Sequence, residues 1–201
     1  ADALAIAITG GGGSGADATA EITSDADTRA AVGQTGRIGL PGAAVTVQAT
    51  GRNEAAATTN GGTGGGITVS VMLPTARVGG AVEAAFDGTV VEGPVAGAAA
   101  GAATLDVKAI GENIATATAK VANVSLAGGA GATADARVTA DADTVASVGQ
   151  TAVIAVSGKL TVDARTQGQN NRAFAKSEGG SGGVFVSASV MRADRSEEHT
   201  S

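Results

Sequence analysis

The sequence is notable first for what it lacks, because its 201 residues include no cysteine, no tryptophan and no tyrosine. Without cysteine the chain can form no disulfide and can hold no zinc or iron–sulfur cluster through thiolates. The only histidine is His199, close to the C-terminal end of the sequence. Catalytic triads and histidine-ligated metals are therefore excluded from the rest of the chain.

Most of the side chains that are present are small. Hydrophobic residues make up 43% of the chain and aromatic residues 1%, so the apolar content is mostly alanine, and there are 32 glycines. Burying a large aliphatic side chain contributes about 1.5–3 kcal/mol, and alanine contributes much less. Such a chain needs many repeated close contacts, which an elongated repeat architecture supplies. Disorder is the competing interpretation, but only 16% of residues are charged and Val, Ile and Thr occur throughout.

The charge pattern argues against two classes of partner. The formal net charge is −6 and the basic residues are scattered, whereas nucleic-acid binding needs clustered Lys and Arg. No uninterrupted apolar stretch is long enough to cross a bilayer, since the longest run of small residues, 95–104, contains two glycines. The sequence therefore predicts no nucleic-acid partner and no membrane span within this segment.

An internal repeat organises the chain. Three segments correspond: VTVQATGRNEAAAT from Val45, LDVKAIGENIATAT from Leu105 and LTVDARTQGQNNRAFA from Leu160. A second set pairs ITSDADTRAAVGQTGRI from Ile22 with VTADADTVASVGQTAVI from Val138, and a degenerate copy lies between them. Glycine-rich links recur in every copy. The period is about 55–60 residues, which predicts a repeat architecture.

The repeat divides the chain into units. Residues 1–44 are a partial unit, 45–104 and 105–159 are whole units, and 160–194 are a second partial unit. The tail 195–201, RSEEHTS, has a different composition and matches the in-frame translation of a common sequencing adapter. We interpret the tail as an artefact and the chain as a fragment of a longer protein.

Within each unit the apolar residues alternate with polar ones. Ala115, Ala117 and Ala119 alternate with threonine, and Ile67, Val69 and Val71 alternate with Thr68 and Ser70; Ile6 and Ile8 alternate with alanine. This period of two predicts short half-buried strands with small residues inside and glycine at the corners.

The predicted fold class is therefore all-β, an elongated β-solenoid and specifically a right-handed parallel β-helix, in which three coils of about 20 residues form one unit. An array of β-sandwiches is the main alternative, and 95–104 could form a short helix.

The order of these features resembles the repeats of giant bacterial surface adhesins. A V-T-V-x-A segment, an N-x-A-x-A-x-A segment, a G-G-x-G-G link, a V-x-V segment and an acidic segment follow one another in 1–194. Filamentous haemagglutinin-like and autotransporter-type passengers have similar repeats. The resemblance implies type V secretion, an extracellular or outer-membrane-attached location, and a stalk that binds ligands on host or neighbouring cells.

Paired carboxylates are the first candidate chemistry. Asp25 and Asp27, like Asp141 and Asp143, are two residues apart, which would place each pair on one face of a strand. Polysaccharide-cleaving β-helices use acidic residues in this way. The pair recurs at equivalent repeat positions, whereas a catalytic site is normally unique, so a solvated strand face or turn is the favoured interpretation.

Other motifs are weaker. GGSGADATA from Gly12 partly fits a calcium β-roll repeat, with Asp17 at the acidic position, but no tandem copy follows. Asn53, Asn113 and Asn170 could line turns, without forming a ladder if a unit is three coils. Thr116 and Thr118 are too few for an ice-binding array.

We therefore predict that the segment is not an enzyme, with no catalytic residues, no metal ligands and no cofactor. A carbohydrate-active β-helix and a calcium-binding β-roll are the alternatives.

Overall fold

The computed structural model describes residues 1–91, 102–166 and 171–197. These ranges contain strands and turns and no helix, so the predicted all-β class is confirmed. The strands are β1 Asp2–Ile22, β2 Thr28–Val32, β3 Arg37–Ile38, β4 Ala44–Val78, β5 Val82–Phe86, β6 Thr89–Val90, β7 Thr104–Val138, β8 Thr144–Val148, β9 Val153–Ile154, β10 Leu160–Thr166 and β11 Arg172–Glu197. Residues 95–101 of the segment suggested as a short helix, 95–104, lie outside the described residues.

Three sheets are formed by parallel pairing of strands from successive units. The large sheet has the order β1-β4-β7-β10, and β11 continues beside β7 after β10. Two smaller sheets have the orders β2-β5-β8 and β3-β6-β9. Every strand pair in the described residues is parallel, which does not fit the antiparallel sheets of the β-sandwich alternative.

The register shows how much chain one unit contributes. Asn53 lies beside Asn113, 60 residues away, and Ser14 beside Ser70, 56 residues away. Val47, Val107 and Val162 form one row across β4, β7 and β10, as the repeat predicted.

Each of the two whole units therefore adds one strand to each sheet, and the prediction of three coils of about 20 residues per unit is wrong. The predicted short strands are also wrong for β4 and β7, which are 35 residues long.

The long strands are folded into arches. In β4 the buried residues are odd-numbered as far as Thr63 and even-numbered from Thr68, so the buried side changes within the glycine-rich link. The two halves face each other, since the hydroxyls of Thr63 and Ser70 are 2.9 Å apart. We call 53–64 the first leg and 67–78 the second leg, and we use the same names for their register partners in β1, β7 and β11. Together the legs form the arch region.

Two separate cores lie on either side of a polar boundary. In the arch region the legs are packed through small side chains, among them Ala57, Ala117 and Ala134. In the remaining part, which we call the lobe region, Leu105 and Val107 pack against Phe86 and Val82 of the small sheets. The predicted small inward residues are confirmed for the arch, whereas the lobe is closed by larger side chains.

An asparagine ladder forms the boundary between the two cores. Asn53 Nδ2 donates to Asn113 Oδ1 at 2.9 Å, and Asn113 Nδ2 donates to Asn171 Oδ1 at 3.0 Å. The same amides also donate to the backbone oxygens of Gly80 and Ala142, at 2.7 and 2.8 Å. The ladder exists because one unit spans the full circuit. Its third member is Asn171, whereas the predicted Asn170 lies outside the described residues.

Glycines of the link are needed where neighbouring strands approach closely. Two glycines that pair with the same residue of β7 allow this to be tested. Gly62 and Gly180 both lie beside Ala122, but a Cβ on Gly62 would meet the Ala122 carbonyl oxygen, whereas a Cβ on Gly180 would meet nothing within 4 Å. We expect Gly62→Ala to destabilise the protein by about 1 kcal/mol or more, because backbone must move. Gly180→Ala should instead stabilise it by about 0.4–1 kcal/mol by restricting the unfolded chain. Equal effects in chemical denaturation would contradict this account.

Candidate functional site: the outer faces of the arch

Large apolar side chains project from the outer faces of the arch region. On the second leg, Ile67, Val69 and Val71 are 70%, 52% and 41% exposed, whereas Thr68 and Ser70 between them are 1% and 0% exposed. The narrow space between the legs admits small side chains, and the alternation of a strand then places the β-branched residues outside. The small hydroxyl residues tolerate burial here because they are hydrogen-bonded, for example Thr68 Oγ1 to Asn123 Oδ1 at 2.9 Å.

These apolar residues form ridges separated by glycine. The Ile67–Val71 row in β4 lies between Gly11, Gly13 and Gly15 of β1 and Ala127, Gly129 and Gly131 of β7. On the first leg the roles of the strands are reversed. There β4 supplies the glycines, Gly62 and Gly64, and the neighbouring strands supply the large apolar side chains. Exposed apolar side chains lie on both sides of this row of glycines, which we call a glycine lane. Leu4, Ile6 and Ile8 are on one side and Val124 is on the other. The result is an open groove of about 460 Å³ with a glycine floor and apolar walls.

Charge is confined to the parts of the arch that lie away from its tip. The segments 4–16, 60–72, 121–134 and 179–191, which form the tips of four successive arches, contain no charged residue. Nearer the lobe, acid–base pairs lie two residues apart on one strand face, such as Arg137 Nε to Asp135 Oδ1 at 2.8 Å. This carboxylate raises the pKa of Arg137. Exposed pairs of this kind contribute little to stability, so they mainly keep this part of the surface hydrated.

The acidic pairs lie in turns, not on a strand face. Asp25 and Asp141 occupy equivalent turns after β1 and β7, and Asp27 Oδ1 accepts a hydrogen bond from the Ala81 backbone N–H at 2.8 Å. The turn of the middle unit, at Gly79, is two residues shorter. Asp25 and Asp141 therefore line one groove of about 360 Å³, with Arg77 also in its wall. A structural role for Asp27 in fixing this turn follows from its hydrogen bond.

The remaining sequence candidates are not brought together. Asp17 is exposed on β1 beside Leu73, and no cluster of three or more His, Cys, Asp or Glu suited to a metal occurs in the described residues. Thr116 and Thr118 face outward on β7, but their neighbours in β11 are Phe174 and Lys176. A threonine array is therefore absent from this face of the described strands.

Asp87 is a carboxylate whose pKa is lowered by the hydrogen bonds that it accepts. It lies between β5 and β6 and accepts hydrogen bonds from the Thr151 hydroxyl at 2.6 Å and the Thr151 backbone N–H at 3.3 Å. The Thr151 hydroxyl, followed by the Gln34 side chain, lowers the pKa of Asp87 below its ordinary value of 3.8, against the opposing effect of burial. Its stabilising effect is therefore complete above pH 3.8 and is lost as pH falls through the lower pKa of the folded protein.

Removing the hydroxyl donor should reverse that shift. In Thr151→Val we expect the pKa of Asp87 to rise toward 3.8, measured by NMR titration of its side-chain carboxyl carbon. Thr161→Val is the matched control, because the Thr161 hydroxyl is the main cause of the lowered pKa of Asp106. It should raise the pKa of Asp106 and leave that of Asp87 alone. An unchanged Asp87 titration in Thr151→Val would show that the hydroxyl has no such role.

Comparison with protein-family models, with curated proteins and with solved structures finds no match to this chain. In the described residues there is no helix that is long and apolar enough to cross a membrane. The site is therefore defined by its own geometry, as a charge-free surface of apolar ridges and glycine lanes on both outer faces of the arch region.

Proposed function

We propose that this chain is a structural and adhesive segment of a secreted or cell-surface bacterial protein, folded as a right-handed parallel β-solenoid. The observation that supports it most directly is the parallel register of consecutive units, in which most residues of β4 lie beside their repeat equivalents in β7. A register of this kind can be continued by further units without any new type of contact. Each coil then corresponds to one unit of 55–60 residues.

The size of the coil makes this segment broad. Adjacent strands are about 4.8 Å apart and each residue extends a strand by about 3.3 Å. One unit therefore lengthens the solenoid by about 4.8 Å, while an arch leg of about twelve residues extends roughly 40 Å sideways. The proposed function is consequently to present wide faces to other surfaces. A long solenoid would require a large number of units.

Adhesion by such faces would be multivalent. Successive units present related rows of side chains at a fixed spacing, so many weak contacts act together through high effective concentration. The proposed partners are ligands on host cells or on neighbouring bacterial cells. The proposal assigns the recurring acidic turns a structural role, as in the hydrogen bond from the Ala81 N–H to Asp27, and involves no catalysis.

Bead adhesion tests the function. Polystyrene beads coated with the folded chain should bind to epithelial monolayers or to bacterial cells more than beads coated with the same chain after denaturation. Excess soluble tandem dimer of the chain should compete better than excess monomer, because it is multivalent. Binding equal to that of the denatured coating on every cell type would overturn the adhesive role.

A further inference from the structure

The outer faces of the arch expose clusters of large apolar side chains. Large apolar side chains that are 41% to 84% exposed occupy both faces, Leu4, Ile6 and Ile8 on the first leg and Ile67, Val69 and Val71 on the second. Together each set amounts to several hundred Å², which is on the order of the largest apolar patch on a typical monomer. Apolar patches of this size are often functional surfaces.

The two faces are complementary in shape. On the second leg β4 carries the Ile67–Val71 ridge with glycine-containing rows beside it, and the first leg carries a groove whose floor is Gly62 and Gly64. Both faces are parallel sheets, with strands about 4.8 Å apart and same-side residues roughly 6.6 Å apart along the strand. A ridge from one copy therefore matches the spacing of the groove in another copy.

The charge distribution also fits a contact with a second copy of the chain. The tips of the arches contain no charged residue, whereas the acid–base pairs lie nearer the lobe. An apolar centre without charge and a charged rim are typical of a protein interface.

We propose that the arches of separate copies of this chain associate laterally, with the Ile67–Val71 ridge of one copy seated in the Gly62–Gly64 groove of the next. The two surfaces differ, so the contact is heterologous, and each copy has a free ridge or groove left for another. Association therefore produces open stacks. This goes beyond the proposed adhesive function and can be tested without any cell.

Single charges on the two faces test the contact. Sedimentation velocity of the wild-type chain should show oligomers that grow with concentration. Val69→Lys should block the ridge and Ile6→Lys the groove wall, each weakening association by about tenfold or more, because a lysine would be buried without a partner. Val153→Lys is the control, since Val153 is 59% exposed on the lobe region, and it should associate like the wild type. Circular dichroism checks that each variant is folded.

Mixing the two variants gives the most specific result. The Ile6→Lys copy retains a ridge and the Val69→Lys copy retains a groove, so a mixture should form a one-to-one dimer that does not grow further. Pairing through the free edges of β1 and β11 would be unaffected by either substitution. A wild-type chain that stays monomeric, variants that associate like the wild type, or a mixture with no dimer would each overturn the proposal. Adhesion to cells could still hold in these cases.

Discussion

Replacing Asn113 with alanine is expected to destabilise the protein by about 3–5 kcal/mol, because three hydrogen bonds in the interior are lost together. Asn113 is fully buried and connects Asn53, Asn171 and the Ala142 carbonyl. Alanine leaves that carbonyl without its donor at the boundary between the two cores. Each buried group left unsatisfied costs about 1–3 kcal/mol, a large share of the 5–15 kcal/mol that is typical of a domain.

The ends of the ladder supply graded controls for this prediction. Asn171→Ala removes one ladder bond at a partly exposed position, so about 1 kcal/mol or less is expected. Asn53→Ala should be intermediate, since it also removes the bond to Gly80. Chemical denaturation followed by circular dichroism measures all three, because the chain has no Trp or Tyr for fluorescence. Equal effects at the three positions would mean that the ladder is not the source of the stability.

The second large loss of stability is expected when a side chain between the arch legs is enlarged. Ala117 is fully buried, and its register partners Ala57 and Ala175 show that the whole row is alanine. We expect Ala117→Leu to cost about 1–3 kcal/mol or more, because the legs must separate or the side chain must leave its rotamer. The same change at the next residue, Thr116→Leu, points outward and should alter the unfolding free energy by less than about 0.5 kcal/mol.

The comparison of Ala117 with Thr116 depends on the direction of each side chain. If Thr116→Leu proved as destabilising as Ala117→Leu, the assignment of inner and outer faces would be wrong. If both were neutral, the space between the legs would be wider than alanine requires. Only a large difference between adjacent residues agrees with the arch.

Part of this fold could be predicted from the repeats. The alignment of Val47, Val107 and Val162 predicted a row that the register confirms, because equivalent residues in repeats occupy equivalent places. The period of two predicted strands with small inward residues, as seen at Ala115 and Ala117. These are local patterns, and local patterns determine the strand and its two faces.

The size of the coil could not be predicted in this way. A period of two is the same whether one unit forms one coil or three, so only the non-local pairing distinguishes them. For a related reason, the sequence alone does not determine whether the Ile67 side chain points into the arch or out of it. Alternation says that Ile67 and Thr68 face opposite sides, but only the narrow gap between the legs decides that Thr68 is inside. The Asn53–Asn113 ladder and the ridges depend on that same geometry.

The most direct test of the central claim, that one unit forms one coil, uses the absence of native cysteine. Thr58 lies beside Thr118 on the outer face, at the roughly 4.8 Å strand spacing that a disulfide can bridge. Thr58→Cys with Thr118→Cys should form an intramolecular disulfide under mild oxidation. Thr58→Cys with Lys120→Cys should not, because that diagonal is about 8 Å. No disulfide in the first pair, or equal yields in both, would contradict the account.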